Sequence, residues 1–159
     1  MSEINCIKSQ IIVLFNLDEL RYALYLLAVE RVIPIVEITP LPKAPEIVMG
    51  IVNYHGEIIP VINIRKRFNL PAHEIKLSDQ LIIARTTKRF VALVVDSVIG
   101  VHKLEHDQFV DTKEEFPYAD YVTGIAKIEN NIVLIHDLEK FLSLEEQHLI
   151  ENALSIGEK

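Results

Sequence analysis

Apolar residues in this chain come in short runs set off by polar turns, a pattern that predicts strands rather than long helices. Ile11 to Phe15 and Tyr22 to Val29 flank Asn16 to Arg21, where Asn and Asp favour a turn, so a first hairpin is expected there. After Val32, the residues Pro34, Pro40, Pro42 and Pro45 withdraw backbone donors and predict an extended, irregular connector. It leads to Gly50 and to strands expected over Ile51 to Tyr54 and Glu57 to Ile62, joined by a tight turn at His55-Gly56, where glycine tolerates positive φ. Pro60 within the second run predicts an edge or a bulge. Asn63 suits the cap of a short helical turn, Ile64 to Phe68, which Asn69 and Pro71 would end. A polar connector from Ala72 to Asp79 precedes Leu81 to Ala84, Phe90 to Val95 and Val98 to Leu104, all apolar and β-branched enough to read as buried strands. His106 to Asp120 is polar, carries Pro117, and reads as an exposed loop with little regular structure. Ser143-Leu144-Glu145-Glu146 has capping-box spacing ahead of Leu149, Ile150, Ala153 and Leu154, the signature of one amphipathic C-terminal helix on the β core.

One segment of this pattern occurs twice. Gly50 to Phe68 and Gly124 to Leu142 align without a gap at a single offset of 74 (124 − 50 and 130 − 56 alike). Gly56 falls opposite Asn130, Ile58 opposite Ile132, Val61 opposite Ile135, and Asn63 opposite Asp137, which can cap its own short turn. A weaker echo precedes each copy: Arg21-Tyr22-Ala23-Leu24 resembles Arg89-Phe90-Val91-Ala92, and Val29 with Val32 recurs as Val98 with Val101. Two similar β units in tandem must meet along a seam, where a binding protein places its groove.

Length and charge narrow the function. A chain of 159 residues suits one domain or two small units sharing a core. The lone Cys6, near a polar N-terminus, cannot form an internal disulfide, so a reducing cytoplasm is the default setting. The longest apolar stretches fall far short of the roughly 20 residues that cross a bilayer, and no secretory signal is seen. With 23 acidic and 16 basic side chains, the net charge of −7 works against binding a polyanion.

Reactive constellations are absent from the motifs. His102 and His106 have the spacing of a zinc pair, but that spacing serves on a helix and here falls on a strand, with no nearby Cys to add ligands. Asp96 has no second acid, His or nucleophile beside it in sequence, so it suits a bend between strands better than general acid–base work. His136 stands where the first copy has Ile62 and is expected to flank the core. Arg65, Lys66 and Arg67 form a basic cluster that suits either an acidic partner or a solvated helical face. Nothing resembles a phosphate loop, and no cofactor or metal is implied. A compact β protein without a catalytic constellation favours a binding module.

Four stretches carry a family resemblance: YALYLLAVERVI, PLPKAPEIVMGIVNYHGEIIPVINIRKRF, VALVVDSVIGV and YVTGIAKIENNIVLIHDLEKFL, in that order. Together they resemble the chemotaxis coupling protein CheW and the related regulatory domain of the histidine kinase CheA. The resemblance implies an all-β fold of two intertwined SH3-like five-stranded β-barrels sharing a core, with short helical turns and a C-terminal α-helix. It implies a flexible N-terminus over 1–10 and a CheW-like domain over 11–156. The first barrel would come mainly from 20–70, the second mainly from 11–17 and 80–142, and the closing helix from 143–155.

The function so implied is a non-catalytic adaptor between chemoreceptor cytoplasmic tips and the CheA regulatory domain. It would be cytoplasmic, associated with receptor arrays at the inner membrane, with no nucleic-acid partner, no cofactor and no direct membrane insertion. Carried over by motif, the receptor and kinase interface would involve Val29, Arg31 and Val32, then Gly50, Asn53, His55 and Gly56, and Val95, Asp96 and Val98 across the seam. Two positions depart from the family pattern: His55 stands where Arg is usual, and Arg31 where an acid is frequent. Histidine cannot reproduce the five-donor fork of Arg. Two rival readings are a nucleic-acid-binding small β-barrel, disfavoured by acidity and sparse aromatics, and a hydrolase using Asp96 with a distant His.

Overall fold

A computed structural model describes residues 11–110 and 122–157, and the apolar runs there become eleven strands and two α-helices. The strands are β1 (Ile11–Leu17), β2 (Leu20–Tyr25), β3 (Val29–Pro34), β4 (Val48–Tyr54), β5 (Glu57–Ile62), β6 (Gln80–Arg85), β7 (Phe90–Val95), β8 (Ser97–Lys103), β9 (Phe109–Val110), β10 (Val122–Ile128) and β11 (Asn131–His136). Helix α1 is the single turn Ile64–Arg67, and α2 is Leu144–Gly157. The expectations for 1–10, Cys6 included, and for 111–120 lie outside the described residues. Among the described residues, no helix is long and apolar enough to cross a membrane.

The expected run Tyr22 to Val29 is not one strand. A 3-10 turn at Leu26–Ala28 interrupts it and sends β3 into a different sheet from β2. Likewise His106 to Asp120 is more ordered at its start than its polarity predicts: a 3-10 turn spans His106–Gln108, and β9 pairs with β10 through Val110 opposite Ile125. Pro60 sits in β5 opposite Ile51 of β4, and the parallel ladder from β5 to β7 begins only at Val61, past the missing donor. The bulge lies across the hairpin in β4, between Val48 and Gly50.

Sheet A runs β8-β1-β2-β11-β10-β9 and sheet B runs β3-β6-β7-β5-β4. Each is built from both halves of the chain. Sheet A joins the hairpin β1-β2 to β10-β11 by the parallel pair β2-β11, and sheet B joins β6-β7 to β4-β5 by the parallel pair β7-β5. The two SH3-like units are therefore intertwined, but their boundaries differ from those expected. Leu20–Tyr25 lies in sheet A beside β1, and Gln80–Val95 lies in sheet B beside β3 and β5.

The duplication holds at the level of backbone geometry. Offset by 74, His55-Gly56 and Glu129-Asn130 all take positive φ at the hairpin tips, and the bulge between Val48 and Gly50 recurs between Val122 and Gly124. Asn63 accepts a hydrogen bond from Lys66 N, and Asp137 accepts one from Glu139 N, each capping the turn after its hairpin. The earlier echo is shifted by one residue from its sequence alignment. Ala23 pairs with Leu14 and Ile135, and Ala92 pairs with Ile83 and Val61, so Ala23 corresponds to Ala92 rather than to Val91.

Three apolar clusters explain why the central strands are nearly continuous in Val, Ile and Leu. Ile12, Leu14, Ala23 and Ile135 fill the interior of sheet A, while Val52, Val61, Ile83 and Ala92 fill that of sheet B. The opposite faces of the same strands meet in a shared core, with Phe15, Tyr22 and Leu24 from sheet A against Ile82, Leu93 and Val95 from sheet B. A strand buried on both faces cannot alternate with polar residues. Helix α2 closes this core with Ile150, which is fully buried. Its capping box is formed: Glu146 N donates to Ser143 Oγ at 3.1 Å, and Ser143 N donates to Glu146 Oε1 at 2.8 Å.

Candidate functional site

The rim of the shared core is where the fold leaves apolar side chains half-covered. Val29 opens β3, an edge strand of sheet B, and Val98 lies at the start of β8, an edge strand of sheet A. Val29 pairs with Ala84 and Val98 with Phe15; both valines, with Val32, pack on the shared core while remaining partly exposed. The two edges converge at Gln80, whose Oε1 accepts from Val98 N at 2.7 Å while its own backbone pairs with Pro34 of β3. Leu27, Ile99 and Val101 extend the apolar character into solvent at 59%, 44% and 63% exposure. Of these only Val101 stood out in sequence, because a single exposed apolar residue has no periodic signature.

The other expected interface residues divide into surface and interior. Asn53, His55 and Gly56 form the exposed tip of the β4-β5 hairpin, where Gly56 N donates to Asn53 Oδ1 at 3.0 Å and the His55 ring stands edge-on to Tyr54. Arg31 is exposed on β3. Val95 is a correction: at 0% exposure it is sealed in the shared core and offers a partner no surface. Gly50 is a second correction, being buried where the chain at Thr39 pairs with Ile51 through hydrogen bonds of 2.9 and 2.7 Å. It serves close approach of two backbones rather than contact with a partner.

Asp96 is occupied. Its carboxylate receives Arg65 Nη2 at 2.6 Å and the backbone N of Asp18 at 2.7 Å, so it is not a free general base. Arg65 Nη1 lies 3.0 Å from both oxygens of Asp18, and His73 Nε2 approaches Asp18 Oδ1 at 3.4 Å. Burial by itself would lower the Arg65 pKa, but hydrogen bonds and charge from Asp96 and Asp18 outweigh it and hold the guanidinium above its ordinary value. A cleft next to this network is lined by Met49, Arg65, His73, Val94 and Asp96 among others, and takes in none of the three rim valines.

The basic cluster thus faces neither solvent nor an external acid as a unit. Arg65 is 9% exposed, Arg67 meets Glu146 of α2, and only Lys66 points outward, 3.5 Å from Glu46. Sequence reasoning missed these roles because the acids arrive from residues 18, 96 and 146, far along the chain. His136 is buried at 4% exposure with its ring stacked 4.3 Å from Phe68. Among the described residues, no group of three or more His, Cys, Asp or Glu is placed to hold a metal ion.

Comparison with known proteins fits this architecture. A family model for the CheW-like domain matches residues 12–146. The Chemotaxis protein CheW of Thermotoga maritima is 31% identical over 128 residues, covering 80% of this chain and 84% of its own. That of Klebsiella aerogenes is 28% identical over 142 residues, covering 87% and 85%. The crystal structure of the scaffolding protein TtCheW from Thermoanaerobacter tengcongensis superimposes with a TM-score of 0.78 at 29% identity, covering 87% of this chain and 95% of that one. Two intertwined sheets, a half-covered seam between them and a family match across most of the chain place this protein in the family of CheW-like domains.

Proposed function

We propose that this chain is a cytoplasmic scaffold without enzymatic activity, coupling the cytoplasmic tips of chemoreceptors to the regulatory domain of the histidine kinase CheA. The observation that carries it is the apolar rim at the seam, Val29, Val32 and Val98, half-covered in a fold shared with CheW relatives. A helical receptor tip presents an apolar stripe, and such a rim is the surface that accepts one. The exposed hairpin tip with Asn53, His55 and Gly56 supplies polar contacts on the same protein. The engaged carboxylate of Asp96 speaks against a hydrolase, and the net charge of −7 against a nucleic-acid role.

Co-sedimentation of the purified chain with a receptor signalling fragment and CheA tests this reading. Both partners are expected to bind, and Val98→Asp or Val101→Asp is expected to weaken receptor binding by at least tenfold, about 1.4 kcal/mol, while circular dichroism shows a folded protein. Val101 is 63% exposed, so its substitution leaves the core intact. If neither partner sediments with the unaltered chain, the scaffold assignment fails.

A further inference from the structure

Apolar packing presses the two sheets together through contacts that are individually non-directional, and hydrogen-bonded contacts across the seam add a directional constraint on the angle at which they meet. Two directional clasps span the seam, and they are copies of each other. Arg65, on α1 just past the β5 end of sheet B, grips Asp18 at the tip of the β1-β2 hairpin of sheet A. Glu139, just past the β11 end of sheet A, receives Thr87 N at 2.7 Å and Thr87 Oγ1 at 3.1 Å at the tip of the β6-β7 hairpin of sheet B. Arg65 and Glu139 are related by the 74-residue offset of the repeated hairpin (139 − 65). Asp18 and Thr87 are related by the 69-residue offset that also relates Ala23 to Ala92 and Val29 to Val98 (87 − 18).

The Arg65 clasp has an additional anchor. Asp96 is the residue at which the chain crosses from β7 in sheet B to β8 in sheet A, and it is bound on three sides: by Arg65 Nη2, by Asp18 N, and through its own N by Asn16 O at 3.0 Å. Two residues later comes Val98 of the rim, and between them Ser97 Oγ accepts from Asn16 Nδ2 at 3.2 Å. One planar guanidinium thus joins an α1 turn, a hairpin tip and the crossover that delivers the rim valine. Lysine cannot span both carboxylates in this way. Arg65 is buried while Asp18 and Asp96 stay about a third exposed, at 31% and 33%, so these pairs add little net stability compared with apolar packing but restrict geometry, as polar groups do in some coiled-coil cores.

We propose that Arg65 is a positioning residue: without touching a partner, it sets the relative orientation of the two sheets and thereby the spacing of Val29, Val32 and Val98 on the seam. This rests on reading the seam as the receptor-binding face. The test combines receptor-fragment affinity with methyl NMR of the three valines in the free protein, for Arg65→Lys and for the isosteric Asp18→Asn. Ile128→Val, a change inside sheet A's own core, serves as a variant that loosens the fold away from the seam.

Arg65→Lys and Asp18→Asn are expected to shift the rim methyl resonances and to weaken receptor binding at least about fivefold, the scale of coupling between separate sites, whereas Ile128→Val leaves both unchanged. Wild-type-like shifts in Asp18→Asn and Arg65→Lys would overturn the proposal, as would an equal loss of affinity in Ile128→Val. If the unaltered chain binds no receptor fragment, the scaffold reading falls, and the methyl shifts alone still decide the role of Arg65.

Discussion

Gly50 and Gly124 hold the same position in the two hairpins, yet a methyl group would meet very different surroundings at each. At Gly50, with φ of 155°, it would collide with the backbone carbonyl of Thr39; at Gly124 it would rest 3.8 Å from the Ile135 Cδ1. Gly50→Ala combines overpacking against rigid backbone with an unfavourable φ, and is expected to cost about 2–5 kcal/mol. Gly124→Ala should stay within about 1 kcal/mol. Paired thermal melts check this; equal shifts in melting temperature would refute the asymmetry.

The ion pair of Arg67 with Glu146 makes docking of α2 sensitive to acid. Burial acts to raise the Glu146 pKa, but hydrogen bonds from Ser143 and the Arg67 guanidinium prevail and hold it below the ordinary 4.5. A carboxylate depressed on folding stabilises above its unfolded pKa and loses that contribution as pH falls through the folded value. Glu146→Gln should therefore cost about 1–2 kcal/mol at neutral pH, a drop of roughly 2–8 °C in melting temperature. The gap between wild type and variant should close as pH is lowered beneath 4.5. A gap that persists unchanged at pH 3 would show that the charge is not responsible.

Glu129 occupies the first left-handed position of the β10-β11 turn, with φ of 49°, and Asn130 follows at 67°. A Cβ in this region costs on the order of 1 kcal/mol, and asparagine bears it better than glutamate. Glu129→Asn or Glu129→Gly is expected to raise the melting temperature by about 2–4 °C. No gain would mean that Glu129 makes a compensating contribution in the folded state.

His55 is exposed at the matching tip of the β4-β5 hairpin, with positive φ and an edge-on contact to Tyr54, so thermal melts separate any change in turn stability from the effect of its replacement on partner contact. His55→Arg restores the bidentate-capable fork usual in the family and should tighten receptor or kinase binding by about two- to tenfold. Identical affinities for both partners would place the tip outside either interface.

Much of the architecture was legible because it is written in local chemistry. The Asn63 and Asp137 caps, the Ser143–Glu146 capping box and the positive φ at Gly56 depend on residues within three or four positions of one another. The 74-residue repeat exposed the twin hairpins because turn residues and alternating apolar positions constrain each other at short range. The break at Leu26–Ala28 was hidden, since a 3-10 turn of apolar residues between two strands looks like more strand.

Which side chains face a partner was decided only by the tertiary structure. Val95 and Val98 are both apolar and three residues apart, yet one is sealed and the other half-exposed, because burial depends on which distant strand covers each face. Arg65 looked like part of a solvated basic face until residues 18 and 96 were brought to it. The chain by itself determined strands, turns, caps and the presence of two units. The exchange of hairpins between sheets, the seam it creates and the ion pairs across that seam come from contacts between residues tens of positions apart, whose pairing no local pattern encodes.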